Sequence, residues 1–123
     1  MAKVFHFEDL DWQAASLDDA PDSERSAWRT HGPPARSRVL EGEGGYWANM
    51  TRFPPGFRIW PHSHDKDELM VVVHGSCDLD GVEVRAGDTV LIPANERYSF
   101  MAGPDGLRFL VVRPGNAAYS DRR

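Results

Sequence analysis

From Val39 onward the chain is a series of short runs of β-branched and aromatic residues cut by Gly, Pro, Asn and Asp, a spacing that suits an all-β sandwich or barrel. The runs cover 45–53, 57–64, 67–74, 76–79, 82–85, 88–92, 97–101 and 107–113. Asp80-Gly81 falls between Cys77-Asp78-Leu79 and Val82-Glu83-Val84. An Asp-Gly pair between alternating segments predicts a two-residue hairpin, because both turn positions need positive φ. Pro54-Pro55-Gly56 and Gly103-Pro104-Asp105-Gly106 predict further turns. No internal repeat, heptad pattern or low-complexity stretch competes with this reading.

Residues 1–36 have a different texture, rich in Asp, Ser, Ala and Pro, with scattered apolar anchors such as Phe5, Phe7, Trp12 and Trp28. They read as an irregular N-terminal arm. Asp22-Ser23 could start one short helical turn, which His31-Gly32-Pro33-Pro34 must stop, since proline supplies no donor and restricts the residue before it. The expected organisation is an arm over 1–36, one β-barrel over 37–115 and a tail over 116–123. A length of 123 residues suits one core and leaves no room for a second catalytic domain.

Composition excludes several classes of function. With 41% hydrophobic and 27% charged residues the chain is ordinary for a soluble globular protein, and no apolar run approaches the roughly 20 residues of a membrane helix. The net charge of −5, with no basic cluster, argues against nucleic acid as a partner. The N-terminal residues lack the apolar core and small-residue cleavage site of a secretory signal, so a cytoplasmic location is the expectation. Cys77 is the single cysteine, which rules out an internal disulfide and fits a reducing compartment. With no nucleophile motif around it, Cys77 reads as a small, half-buried packing residue.

The chemistry concentrates in Pro61-His62-Ser63-His64-Asp65-Lys66-Asp67-Glu68. In a strand, residues two apart project from the same face, so His62, His64 and Glu68 share one side while Asp65 and Asp67 point away. Two imidazoles and one carboxylate on one face suit iron(II) and also accept manganese, zinc, nickel or copper. Taken alone, the pattern is equally that of histidines and acids decorating a loop after Pro61.

The flanking residues decide between these readings. Gly56-x5-His62-x-His64-x3-Glu68-x6-Gly75 matches, at every fixed position, the first signature motif of the cupin superfamily, and the chain is similar to that family over roughly residues 39–114. The second cupin motif reads Gly-x5-Pro-x-Gly-x2-His-x3-Asn; here the stretch is Gly87-x5-Pro93-x-Asn95-x2-Tyr98-x3-Ala102. Asn95 is a mild replacement for a turn glycine, since Asn tolerates the left-handed conformation. Tyr98 is the larger departure, standing where the family supplies a fourth ligand, a histidine. The resemblance implies a six-to-eight-stranded jelly-roll barrel with one divalent metal ion, most plausibly iron, held in its mouth by His62, His64 and Glu68.

A phenol ordinarily titrates near pH 10, which leaves three roles open for Tyr98: a phenolate ligand, a nearby acid, base or hydrogen-bond donor, or packing alone. Strand parity puts Phe100 on the face of Tyr98 and makes Phe109 and Val111 an inward pair. Resemblance to other small cupins adds Asn49, Thr51 and Ile59 to the cavity. Arg113, at the end of the last long run, either receives a substrate carboxylate or enolate or forms a surface salt bridge. His74 lies six residues beyond Glu68, roughly 20 Å along an extended strand, too far to serve the same ion.

Three functions follow as expectations. The first is a metal-dependent dioxygenase of a small chelating enol, diketone or phenol. The second is a redox-neutral isomerase, lyase, dehydratase or cyclase in which Tyr98 moves a proton. The third is a non-catalytic module that binds a small ligand or metal. Aromatics such as Trp12, Trp47 and Trp60 could, if exposed, support a homodimer, and could equally belong to the core.

Overall fold

The computed structural model describes residues 2–14, 30–115 and 119–120. Among the described residues nine strands pair antiparallel: β1 (Gln13–Ala14), β2 (Ala35–Glu41), β3 (Trp47–Phe53), β4 (Arg58–His64), β5 (Glu68–Leu79), β6 (Val82–Arg85), β7 (Thr89–Ile92), β8 (Tyr98–Arg113) and β9 (Tyr119–Ser120). Among its described residues the arm contributes β1, a 3-10 turn over Phe7–Asp9 and a helical end at Thr30-His31. The helical turn expected near Asp22 lies outside the described residues. Among the described residues no helix is long and apolar enough to cross a membrane.

The hairpin expected at Asp80-Gly81 is present. Leu79 pairs with Val82, Asp80 and Gly81 hold φ values of 48° and 91°, and the Gly81 amide donates to the Asp78 carboxylate. A two-residue turn with both φ positive matches the right-handed twist of the flanking strands. Asn95 also adopts the left-handed conformation, with φ 67°.

Two sequence expectations need correction. The runs 67–74 and 76–79 form one strand, β5, and the runs 97–101 and 107–113 are joined in β8. Gly103-Pro104-Asp105-Gly106 therefore does not reverse the chain. Gly75 pairs with Leu107 and Cys77 with Ala102, so four residues of β8 oppose Ser76 alone, as a wide bulge. Both flanks of the segment pair with the same strand, and that overrides the local preference for a turn.

This long strand organises the barrel. One half of β8 pairs with β3 and the other with β4, while β5 runs alongside both. Inward residues of these strands make the core, including Phe53, Phe57, Ile59, Met70, Val72, Phe100, Leu107, Phe109 and Val111. Its centre is aromatic: Phe100 stacks on Phe53 at 5.6 Å and meets Phe109 edge-on at 5.6 Å. Of the three aromatics considered for a homodimer surface, Trp60 belongs to this core, while Trp12 and Trp47 are half-buried. Cys77 is fully buried, and burial pushes its thiol up to about 11.

Candidate active site in the barrel mouth

The site forms where the end of β4, the start of β5 and the two ends of β8 come together. His62 pairs with Tyr98 across β4 and β8, whereas Ile59 pairs with Phe100, so the register slips by one residue between them. That bulge lets Ile59 and His62, three positions apart, both reach the interior. After His64 the chain turns through Asp65–Asp67 into β5. The Asp67 carboxylate accepts the Ala94 amide at 2.8 Å, and the Asn95 amide donates to the His64 carbonyl at 2.6 Å. The turn carrying Pro93 and Asn95 is thus fixed to the corner that presents His64 and Glu68.

His62, Glu68 and Tyr98 are each at most 5% exposed. Tyr98 donates its hydroxyl proton to Oε2 of Glu68 at 2.8 Å. Oε1 of Glu68 accepts two hydrogen bonds from Arg113, from Nε at 2.9 Å and from Nη2 at 2.7 Å. A buried carboxylate is costly unless it is paired, and these three donors supply the compensation. Nη2 of Arg113 also lies 3.4 Å from Nε2 of His64. Arginine only donates, so this contact leaves the lone pair on Nε2. Nδ1 of His62 faces the Trp60 carbonyl at 2.9 Å; a carbonyl only accepts, so Nδ1 carries the proton and Nε2 again keeps the lone pair.

Electrostatics keep both imidazoles neutral at pH 7. Burial is the largest cause lowering His64, to about 4, and the Arg113 charge adds to it against the opposing pull of Glu68. His62 is likewise held below its ordinary range by burial, partly offset by the Trp60 carbonyl and Glu68. Arg36, on β2, pushes both values down. Sequence reasoning missed Arg36: it lies in the presumed arm boundary and no motif marks it, yet β2 carries it opposite Thr51.

The other expected site residues divide into two groups. Thr51 is buried, and half-buried Asn49 accepts from the Arg38 Nε at 3.1 Å. Tyr98 lies 4.3 Å from the His62 ring, centre to centre, and stacks on Phe100 at 6.1 Å. Ile59, Phe100, Phe109 and Val111 are packed into the core beneath the polar cluster. Arg113 does form a salt bridge, but with buried Glu68 inside the mouth rather than on the surface.

Two imidazole lone pairs and a carboxylate are the right donors for a divalent ion. Their arrangement here is not that of a closed ligand set. Both oxygens of Glu68 are engaged, by Arg113 and Tyr98, and Oε1 stands 4.0 Å from Nε2 of His64. Donors sharing one ion at about 2.1 Å sit nearer 3 Å apart when adjacent. Among the described residues no group of three His, Cys, Asp or Glu side chains is arranged to hold a metal. The guanidinium supplies the positive charge at this place.

Comparison with known proteins sets this geometry in a family. The chain is 39% identical over 64 residues to dimethylsulfoniopropionate lyase DddW of Ruegeria pomeroyi, a match spanning 49% of this chain and 42% of that protein. The matched stretch is thus less than half the length of the relative. Among solved structures, the polyketide cyclase RemF from Streptomyces resistomycificus superposes with a TM-score of 0.74 at 22% identity, covering 100% of this chain and 87% of that one. The Rhodobacter sphaeroides anti-sigma ChrR, in complex with SigE, gives a TM-score of 0.67 at 18% identity over 88% of this chain and 51% of that one. These two likenesses establish the jelly-roll fold of the barrel. The family model for the ChrR cupin-like domain matches residues 18–117, and the chain belongs to that cupin family.

Proposed function

We propose that the barrel mouth catalyses a redox-neutral elimination, of the lyase type, on a small molecule bearing a carboxylate. The observation that carries this reading is the buried hydrogen bond from Tyr98 to Glu68, a phenol and a carboxylate joined at 2.8 Å beside a guanidinium. In the proposed step the phenol oxygen takes a proton from a substrate carbon as its own proton passes to Oε2 of Glu68. The electron pair left on carbon forms the double bond, and the leaving group departs with its bonding pair. Arg113 is the group that meets the substrate carboxylate.

The partial match to a lyase of a propionate supports this reaction class. The dioxygenase expected from the donor set has no such support among these relatives. His62, His64 and Glu68 remain the proposed ligands of a divalent ion, iron or one of its neighbours, in a state of the site where Arg113 has withdrawn from Glu68.

Dimethylsulfoniopropionate, incubated with the protein under nitrogen, provides the test, with dimethyl sulfide and the unsaturated acid as products. Tyr98→Phe is expected to lower kcat about 100-fold while the circular dichroism spectrum stays unchanged. Product formation that requires oxygen would instead favour the dioxygenase. Ligand-dependent thermal stabilisation with no product, across this and other β-substituted carboxylates, would favour a binding module.

A further inference from the structure

A second group of basic side chains lies on the outside of the sheet, away from the mouth. Arg108 on β8 pairs with Arg52 on β3 and with His74 on β5, so the three stand in a row across adjacent strands. Residues directly opposite in an antiparallel pair project from the same face, and like charges so placed repel. Along their own strands Arg52 and Arg108 alternate with buried residues, Thr51 and Phe53 beside the first and Leu107 and Phe109 beside the second.

The arm covers this row with aromatic rings. The Arg52 guanidinium lies over the Trp12 ring at 4.7 Å, and that of Arg108 lies over Phe7 at 5.4 Å. Stacking uses the flat face of a guanidinium and leaves its edge, which carries the N–H donors, available. Among the described residues neither arginine makes a hydrogen bond or ion pair; the ring contacts are their interactions. Both line one cavity of about 380 Å³, a size within the range of small-molecule sites. His31 and His74 line it too, against a single acid, Asp105. Trp12, Phe53 and Leu107 supply an apolar wall. In a chain of net charge −5, this is a local concentration of positive charge with its donors unspent.

We infer that this cavity is a binding site for the oxyanion group of a small organic ligand, a carboxylate or a phosphate, gripped by the guanidinium edges of Arg52 and Arg108 with its apolar part against Trp12. Two adjacent guanidiniums offer the forked geometry that such anions accept bidentately. The anion also removes the like-charge repulsion of the row. The arm is then one wall of the site, seated by the pairing of Gln13 with Arg36 and of Ala14 with Ala35. Nothing in this inference depends on the chemistry proposed for the mouth.

Titration calorimetry with inorganic phosphate and with benzoate, at an ionic strength matched by sodium chloride, tests it. Binding is expected for at least one anion, and the stronger of the two identifies the source of the oxyanion, phosphate ester or aromatic carboxylate. Arg52→Gln and Arg108→Gln should each weaken it tenfold or more. Arg52→Lys and Arg108→Lys keep the charge and protect the fold, and should still weaken it severalfold because a lysine cannot fork. Arg58→Lys, on β4 and outside the cavity lining, should leave it unchanged. The inference is overturned if neither anion binds beyond the chloride control, if the Arg52 and Arg108 variants bind as the parent does, or if Arg58→Lys alone abolishes binding.

Discussion

Arg113 and Glu68 meet end to end across the barrel mouth, with Nε and Nη2 of the guanidinium both directed at a single carboxylate oxygen. The partners are 45 residues apart in sequence and are the last residue of β8 and the first residue of β5. One ion pair therefore closes the site and holds its two flanking strands together.

Removing the arginine strands a buried charge. Arg113→Met is expected to lower stability by about 3 kcal/mol in chelator at pH 7, read from urea denaturation, because Glu68 is left without its counter-charge. Glu68→Gln with Arg113→Met should recover most of that loss. Adding a divalent metal should stabilise Arg113→Met more than the parent protein, since the variant presents Glu68 to the ion. Equal stabilisation of both would mean that the guanidinium and the ion do not compete.

The neutral histidines give a signed pH dependence. His64 is lowered to about 4 in the folded protein from an unfolded value near 6.5, so between those limits the unfolded chain binds more protons. Stability in chelator should therefore be full above pH 6.5 and fall as pH drops toward 4, with His62 adding in the same direction. The slope should flatten in His64→Gln. A flat profile in the parent protein would contradict the burial of uncharged imidazole.

Gly75 sits where β5 faces the bulge of β8. It holds φ 73°, and a Cβ built there would collide with the Gly106 carbonyl oxygen. Gly75→Ala should cost about 3 kcal/mol or more, visible as a drop in Tm, because both the backbone conformation and the close approach oppose a side chain. Gly87→Ala, where nothing lies within 4 Å, should cost clearly less.

Cys77 offers a probe of the core. Its thiol is buried and raised to about 11, so reaction with a thiol reagent at pH 8 should be slow in the native protein and complete within minutes in denaturant. Fast native labelling would show that β5 opens locally near the bulge.

Strand composition and turn residues were enough to read an all-β sandwich or barrel from the sequence, and the cupin motif then pointed to the jelly roll. The Asp80-Gly81 hairpin and the left-handed Asn95 follow from local chemistry that tertiary packing leaves alone. His62, His64 and Glu68 do meet at one mouth, but the strand breaks at Asp65–Asp67, so the pairing of β4 and β5 with β8, rather than parity along one strand, brings them together. The wide bulge at 103–106 was hidden, since its glycines and proline carry the same signal as a chain reversal and only pairing with β5 on both sides distinguishes them. The engagement of Arg113 with Glu68 was hidden for a related reason. Contacts between distant strands depend on register, and one slip, such as that between Ile59 and His62, changes which side chains meet. The row of Arg52, Arg108 and His74 is likewise a product of register, with no motif in the chain to announce it.

The sixteen residues of β8 bear on how the barrel comes into being during synthesis. Its partners β3, β4 and β5 all leave the ribosome before it; β3 can already pair with β2 and β5 with β6 and β7, whereas among the described residues β4 pairs only with β8 and the later β9. Closure is then a late event that joins these earlier pairings. Until that moment the nascent chain exposes unpaired strand edges, so substitutions that delay β8 should lower the yield of soluble protein before they alter the finished fold.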